Sequence, residues 1–290
     1  MKAQPDLTAG LEFRFDTDDF NRLRDLITAR TGIVLHDHKK VLVYSRLSRR
    51  LRTLGLKSFA EYLTLLTNGT APANDELMNL INAMTTNVTA FFREPHHFTL
   101  LADRLPGLVE RFGRLSLWSA AASTGEEPWS IAMTCAQVEE RLGRTVGALS
   151  ATDIDTTVLA RARAAEYLLD PADVAAQLLM KKYLREGATA SPDPVRPTHR
   201  LFQVADALRP RVTFSALNLI EPLPWPDGSR HVVFCRNVVI YFSKETQRKL
   251  FAEMARVIPS GGLLCIGHSE SLFGVTDSFR LLGRTAYERV

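Results

Sequence analysis

Apolar residues recur at helical spacing through the first third of the chain. Phe20, Leu23, Leu26 and Ile27 share one face, with Asp18 or Asp19 ahead of them as a cap and Gly32 as a stop. Val43, Leu47, Leu51 and Leu54 stand at i, i+4, i+8 and i+11, and the run ends at Gly55. Ser58 precedes Phe59, Tyr62, Leu63 and Leu66, a stripe that stops at Asn68-Gly69. Leu77, Leu80, Ile81 and Met84 form a fourth. Four short helices with brief connections predict a small all-α N-terminal domain over residues 1–85.

Beyond about residue 112 the period changes. Leu115–Ala121 predicts a strand, followed by a Gly-containing turn and a helix from about Pro128 to Leu142. Val146–Ala151 predicts a second strand, with a helix over about 156–166. Val212–Ala216, His231–Cys235 and Leu263–Gly267 follow as strands, the last after a helix capped by Ser243, and Phe279–Val290 closes the series. Alternation of this kind implies α/β architecture, an open and mostly parallel sheet with helices on both faces. The predicted domains are therefore helical (1–85), a linker over 86–97 and an α/β domain over 98–290. Residues 183–214, which hold Pro192, Pro194, Pro197 and two strand-like pieces, read as an insertion in that sheet.

The 290 residues are 46% hydrophobic and 23% charged, an ordinary globular balance, and no run approaches the roughly 18 apolar residues of a membrane span. The N-terminus has no apolar core, so no secretory signal is expected. Cys135, Cys235 and Cys265 are odd in number and widely spaced, which argues against a disulfide framework and predicts a cytoplasmic protein. The net charge of +4 is unevenly placed. Between His36 and Lys57, seven Lys or Arg face Asp37 alone, a local excess of six that leaves the rest of the chain at −2. With the Val43/Leu47/Leu51/Leu54 stripe turned inward, Arg46, Arg49 and Arg52 fall together on the opposite face. A basic face suits an acidic partner, and it is equally consistent with a solvated surface.

In an open α/β sheet, ligands lie beyond the carboxyl ends of the strands, near the point where strand order reverses. The first predicted strand is followed by Ser123-Thr-Gly125-Glu126-Glu127-Pro128. Two carboxylates there would repel a pyrophosphate, so a ligand with positive charge and no phosphate fits better, and S-adenosyl-L-methionine has that chemistry. Two Glu are also simply favourable at a helix N-terminus. After the second strand comes Asp153, placed to hydrogen-bond a ribose diol, with Asp155 beside it; either could instead cap the next helix. Asn218-Leu219 and Arg236-Asn237 end two later strands. The junction Thr85–Phe98 is dense in functional groups, among them Asn87, Thr89 and Arg93. Its His96-His97 pair occupies adjacent positions with no evident third ligand, so no metal is expected. His268 reads as structural.

The series TTNVTAFFRE-HHF, AAASTGEEPWS, TDID, NL, CRNVVIYF and GHSES, in that order after a basic helical domain, resembles the bacterial chemotaxis receptor methyltransferases, the CheR family. The likeness runs over about residues 18–288. It implies a Rossmann-like S-adenosylmethionine methyltransferase domain with an inserted antiparallel β-subdomain, behind a helical domain. It implies methyl transfer from S-adenosyl-L-methionine to glutamate side chains in the cytoplasmic helical region of chemoreceptors, leaving S-adenosyl-L-homocysteine. It further implies cofactor contacts at Asn87, Thr89, Arg93, Glu127, Asp153, Asn218, Leu219, Asn237 and Val238, with Arg93 and Tyr241 beside the reacting methyl. Receptor methylation regions are acidic and helical, so Arg46, Arg49 and Arg52 become the expected substrate-binding face.

Two departures stand out. Trp129 occupies a place where the family often has Tyr. The stretch Arg185–Pro194 holds one Gly and is Pro-rich where peptide-tethering members have a glycine-rich turn, which argues against capture of a receptor's C-terminal peptide. A nucleic-acid methyltransferase is the competing reading, but the residues after the fourth strand, Asn237-Val-Val-Ile, lack the proline and adjacent aromatic that would stack a base. A catalytically idle cofactor-binding scaffold is the third, disfavoured by the presence of Arg93, Asp153 and Tyr241.

Overall fold

The computed structural model describes residues 12–187 and 195–290, and these fall into two compact units. The first is helical and comprises the chain up to Thr86 together with Tyr241–Thr246. Helix α1 (Thr17–Thr31) is capped by Asp16 rather than by Asp18 or Asp19. Asp16 accepts the Asp19 N–H at 2.9 Å while Asp19 reaches back to the Asp16 N–H, so the third acid closes a capping box. Gly32 ends the helix in the left-handed region at φ 74°. Helix α2 (Lys40–Leu54) buries Val43, Leu47 and Leu51 completely, whereas Leu54, the last residue before Gly55, is 38% exposed and leaves the stripe. Helices α3 (Phe59–Thr67) and α4 (Ala71–Met84) complete the bundle, with Ser58 capping α3 through the Glu61 N–H. Inside it Glu76 is buried and accepts from Arg50, Tyr62 and Asn79, so a carboxylate is enclosed with all its partners in place.

The second unit opens with α5 (His96–Phe112) and β1 (Leu115–Ser119), then α6 (Glu126–Leu142), β2 (Gly147–Asp153) and α7 (Thr156–Ala164). Next come β3 (Glu166–Leu169), α8 (Pro171–Ala176), α9 (Leu178–Tyr183), β4 (Leu184–Glu186) and β5 (Arg200–Val204). The chain then runs through β6 (Val212–Ala216), β7 (Val232–Cys235), α10 (Lys244–Val257), β8 (Leu263–Ile266), β9 (Phe279–Gly283) and β10 (Ala286–Arg289). Seven strands form one sheet in the order β6-β2-β1-β7-β8-β10-β9. The first five of these are parallel and β10 runs antiparallel to both neighbours. Central strands β7 and β8, Val-Val-Phe-Cys and Leu-Leu-Cys-Ile, are buried throughout, as continuous apolar runs between two helical layers must be. Strand order reverses between β1 and β7, so the carboxyl ends of these strands mark the ligand crevice.

The inserted lobe differs from the expected 183–214. A separate antiparallel sheet, β3-β5-β4, begins at Glu166, directly after α7, and ends at Val204. Val212–Ala216 pairs in parallel with Leu149–Asp153 and so belongs to the main sheet. The signal missed in the sequence was Tyr167-Leu-Leu169 bounded by Asp170-Pro171, a short strand and turn running straight out of a helix. Pro192 and Pro194 lie outside the described residues. Among the described residues β3 and β4 pair only with β5.

Candidate active site

Gly125 makes the turn after β1 possible. Its φ of 101° suits glycine, and an added Cβ would lie 2.6 Å from the Tyr167 hydroxyl oxygen and 2.8 Å from Ala162 Cβ. The turn delivers Glu127 into the interior at the start of α6. There its Oε1 accepts from Ser119 Oγ at 2.8 Å and its Oε2 from Arg236 Nη1 at 2.8 Å. Burial pushes the Glu127 pKa up, opposed by Arg236 and the Ser119 hydroxyl. Glu126, at the same helix start, accepts from Thr124 Oγ1 at 2.6 Å and is likewise pushed up by burial.

The two acids after β2 divide the work. Asp155 caps α7 through the Thr157 and Val158 N–H groups and receives Asn87 Nδ2 at 2.8 Å. Asp153 is buried, with one oxygen accepting the Ser123 N–H at 2.8 Å and the other the Asp155 N–H at 2.9 Å. The Ile154 N–H also bonds to this carboxylate; with about four acceptor positions in the ionised form, capacity remains for a further donor. Burial raises the Asp153 pKa against these backbone bonds. Ser123 Oγ donates in turn to the Asn87 carbonyl at 3.1 Å, which ties the turn after β1 to the segment that carries Asn87.

Arg93 sits between two residues with left-handed backbone, Phe92 at φ 52° and Glu94 at φ 57°. Ser123 (φ 48°) and Asn237 (φ 57°) adopt the same unfavourable region at the ends of β1 and β7. Four such non-glycine residues around these strand ends are the kind of stored backbone strain that collects at functional sites. The Arg93 side chain is half-buried and donates to the Val88 carbonyl at 2.9 Å. Its own carbonyl accepts from Arg236 Nη2 at 2.5 Å. Arg236 is fully enclosed and also pairs with Glu94 at 3.3 Å. One guanidinium thus holds Glu127, Glu94 and the Arg93 backbone together. Glu94 is not expected from sequence, and Arg236 stands there only as part of the Arg236-Asn237 pair at a strand end, with no partner assigned. Their partners are far away along the chain, and the visible signal was a polar pair, Arg236-Asn237, at the end of an apolar run.

The remaining expected residues are placed as follows. Asn237 donates through Nδ2 to Glu94 Oε1 at 3.4 Å, and Val238 is half-buried beside it. Asn218, at the end of β6, donates to Glu221 at 3.4 Å, with Leu219 buried next to it, and Thr89 is half-buried. Tyr241 groups with the helical unit, where its carbonyl accepts the Val34 N–H at 2.9 Å. In that unit the basic face of α2 needs correction. Arg46 turns its guanidinium onto the carbonyls of Ala83, Met84 and Thr85 at 2.9–3.2 Å, where it satisfies the C-terminal end of α4 instead of facing solvent. Arg49 is exposed, and Arg52 is exposed and pairs with Glu12 at 2.8 Å.

The expectation that His96-His97 lack a third ligand-type group is also corrected. Glu94 joins them, with ligand-type atoms of all three within 4.8 Å of one another. The cluster is, however, already engaged. Glu94 pairs with Arg236 and with His268 Nδ1 at 2.9 Å, and the Nε2 atoms of His96 and His97 meet the Arg284 carbonyl at 3.1 and 3.0 Å. The guanidinium on the same carboxylate opposes a second cation there.

Taken as chemistry, the crevice offers buried carboxylates whose ionised forms are starved of solvent. A ligand carrying cationic groups and a diol fits such a set of acceptors; a pyrophosphate does not. Comparison with known proteins agrees in kind. The profile of the CheR methyltransferase SAM-binding domain matches residues 87–288, and that of the CheR methyltransferase all-alpha domain matches residues 18–85. A chemotaxis protein methyltransferase of Klebsiella aerogenes is 42% identical over 270 residues, covering 92% of this chain and 88% of the relative. Chemotaxis protein methyltransferase 2 of Pseudomonas aeruginosa is 42% identical over 276 residues, covering 95% and 94%. The chemotaxis protein methyltransferase of Escherichia coli is 42% identical over 270 residues, covering 92% and 89%.

Proposed function

Because this chain belongs to the CheR methyltransferase family, a group of S-adenosylmethionine-dependent methyltransferases of chemotaxis, we propose that it esterifies glutamate side chains of chemoreceptors. The observation that carries this reading is near-full-length similarity to proteins named for chemotaxis methyl transfer, joined to a crevice of unphosphate-like chemistry at the sheet's reversal point. S-adenosylmethionine, when bound, supplies a methyl group on a cationic sulfonium. In the proposed site Asp153 holds the ribose hydroxyls. Glu127 provides negative charge for the ligand's ammonium group, and Asn87, Thr89, Asn218, Leu219, Asn237 and Val238 line the remainder.

The acceptor needs little activation. A glutamate side chain has a reference pKa near 4.3 and is already an ionised nucleophile at neutral pH, so no general base is required. Arg93 then has one task, to orient the incoming carboxylate through its guanidinium while its backbone is pinned by Arg236. Orientation of this kind can be worth roughly 7–11 kcal/mol in favourable cases. Too tight a pairing would stabilise the ground state instead, and a half-buried arginine shared with the Val88 carbonyl avoids that extreme. Arg49 and Arg52 form the exposed basic face offered to an acidic receptor helix.

Incubation with methyl-labelled S-adenosylmethionine and receptor-containing membranes tests the proposal. Base-labile label on the receptor, lost in Arg93→Ala even at saturating cofactor, is the expected result. Label that is base-stable, or that appears on nucleic acid and not on receptor, would overturn it.

A further inference from the structure

Glu270, in the turn that follows β8, is buried, and four backbone N–H groups converge on its carboxylate. Its Oε2 accepts from Gly267 at 2.5 Å and Asn237 at 3.0 Å; its Oε1 accepts from Val238 at 2.9 Å and Val239 at 3.0 Å. An ionised carboxylate has about four acceptor positions and no donor, so these four bonds, with the Ile240 N–H also directed at it, leave it no spare capacity. Three of the four donors belong to the turn after β7, and that turn starts with Asn237 in the left-handed region. Gly267 closes on the same turn from below. A Cβ at Gly267 would lie 2.4 Å from Asn237 Nδ2 and 2.9 Å from the Asn237 backbone nitrogen. The end of β8 therefore grips the end of β7 by charge and by close approach.

We propose that Glu270 is a positioning residue for S-adenosylmethionine binding, holding the Asn237–Val239 turn in the conformation that presents Asn237 and Val238 to the ligand. The proposal rests on Asn237 being a cofactor contact. Glutamine at 270 keeps the size of the side chain but turns an NH2 group toward two N–H donors, whichever way its amide is flipped. Aspartate keeps all four acceptor positions on a shorter stem.

The test is calorimetric titration of the full chain with S-adenosylhomocysteine for wild type, Glu270→Gln, Glu270→Asp, Gly267→Ala and Asn237→Ala, each checked by circular dichroism to be folded at the assay temperature. Glu270→Gln and Gly267→Ala are expected to weaken affinity about tenfold or more, and Glu270→Asp to recover part of the loss. A group that served stability alone would lower the melting temperature of Glu270→Gln and leave the affinity of the folded protein unchanged; that outcome overturns the proposal. Should Glu270→Gln fail to fold, Gly267→Ala decides, since it strains the same turn with Glu270 in place, and wild-type affinity there overturns the proposal equally. Wild-type affinity in Asn237→Ala would instead remove the premise that Asn237 is a contact. Loss in Asn237→Ala without loss in Glu270→Gln would refute positioning alone.

Discussion

Arg236→Met removes the cation held between Glu94 and Glu127. The Arg236 side chain is 1% exposed and its partners 10% and 11%, so solvent cannot replace the lost charge. Taking one partner out of a buried pair costs about 3–5 kcal/mol, and the lower end applies because Met fills most of the vacated volume and Glu127 can escape by protonation. In a chain of this size 1 kcal/mol moves Tm by about 2–4 °C, which gives a drop of about 6–12 °C at pH 8. The pH dependence has a definite sign. Burial already raises the Glu127 pKa above its ordinary value, and without the guanidinium only the Ser119 hydroxyl still opposes that rise. A carboxyl whose folded pKa lies above its unfolded one binds more proton when folded, so the variant regains stability as pH falls through that folded pKa. Scanning calorimetry at pH 8 and pH 5.5 should therefore show a smaller deficit at the lower pH, and adding Glu127→Gln should recover part of the loss at pH 8. A deficit under about 1 kcal/mol at pH 8, or one independent of pH, would refute the description of this triad as a buried ionic clamp.

Asp153→Ala should weaken S-adenosylhomocysteine binding by about ten- to a hundredfold, since a hydrogen bond to a charged group is worth about 1.5–3 kcal/mol; unchanged affinity by calorimetry would take Asp153 out of the site. Because burial raises Asp153 and Glu127 while a cationic ligand favours their ionised forms, affinity should fall as pH is lowered through the raised values. Titration in buffers of different ionisation heat should then record proton release on binding. In the helical unit, Glu76 has its pKa lowered from 4.5, with burial opposed and outweighed by Arg50, Tyr62 and Asn79. Its contribution is present above 4.5 and lost as pH falls through the folded value, so Glu76→Gln should cost about 3 kcal/mol at pH 7 and flatten acid unfolding below pH 4.5. Arg49→Glu should lower methylation of receptor membranes at low salt and reduce its salt dependence while leaving cofactor affinity intact; equal rates at low salt would return that face to simple solvation.

The parts of this molecule that were legible in sequence are those where a short window carries the physics. Val43, Leu47 and Leu51 spell a buried stripe, Gly125 and Pro128 spell a turn into a helix, and the all-apolar Val-Val-Phe-Cys of β7 spells a strand covered on both faces. What stayed hidden depends on partners distant in the chain. Arg236 meets the Arg93 carbonyl across 143 positions and Glu127 across 109, and no local pattern announces either pairing. The helical wheel placed Arg46 beside Arg49 and Arg52 correctly by angle. It could not foresee that the open carbonyls at the end of α4 would claim its guanidinium. The lobe was misplaced for a related reason: β3 is four residues long and only Ala165 separates it from α7, so its identity comes from pairing with β5 rather than from its own period.

The helical unit is discontinuous. Phe242 bridges to Ile33, and the Tyr241 carbonyl takes the Val34 N–H, although more than two hundred positions separate them. Bringing such distant residues together carries a loop-closure entropy that short-range helix contacts do not, which raises the contact order of an otherwise local bundle. Cutting the chain after residue 86 would leave Ile33 and Val34 without their backbone partners at Tyr241 and Phe242, and a fragment starting at 87 would expose Phe242, which is buried in the intact chain. The boundary at which the two sequence profiles meet is thus not a boundary at which the polypeptide can be divided without loss. Synthesis from the N-terminus must carry an unfinished bundle until residue 246 has been made.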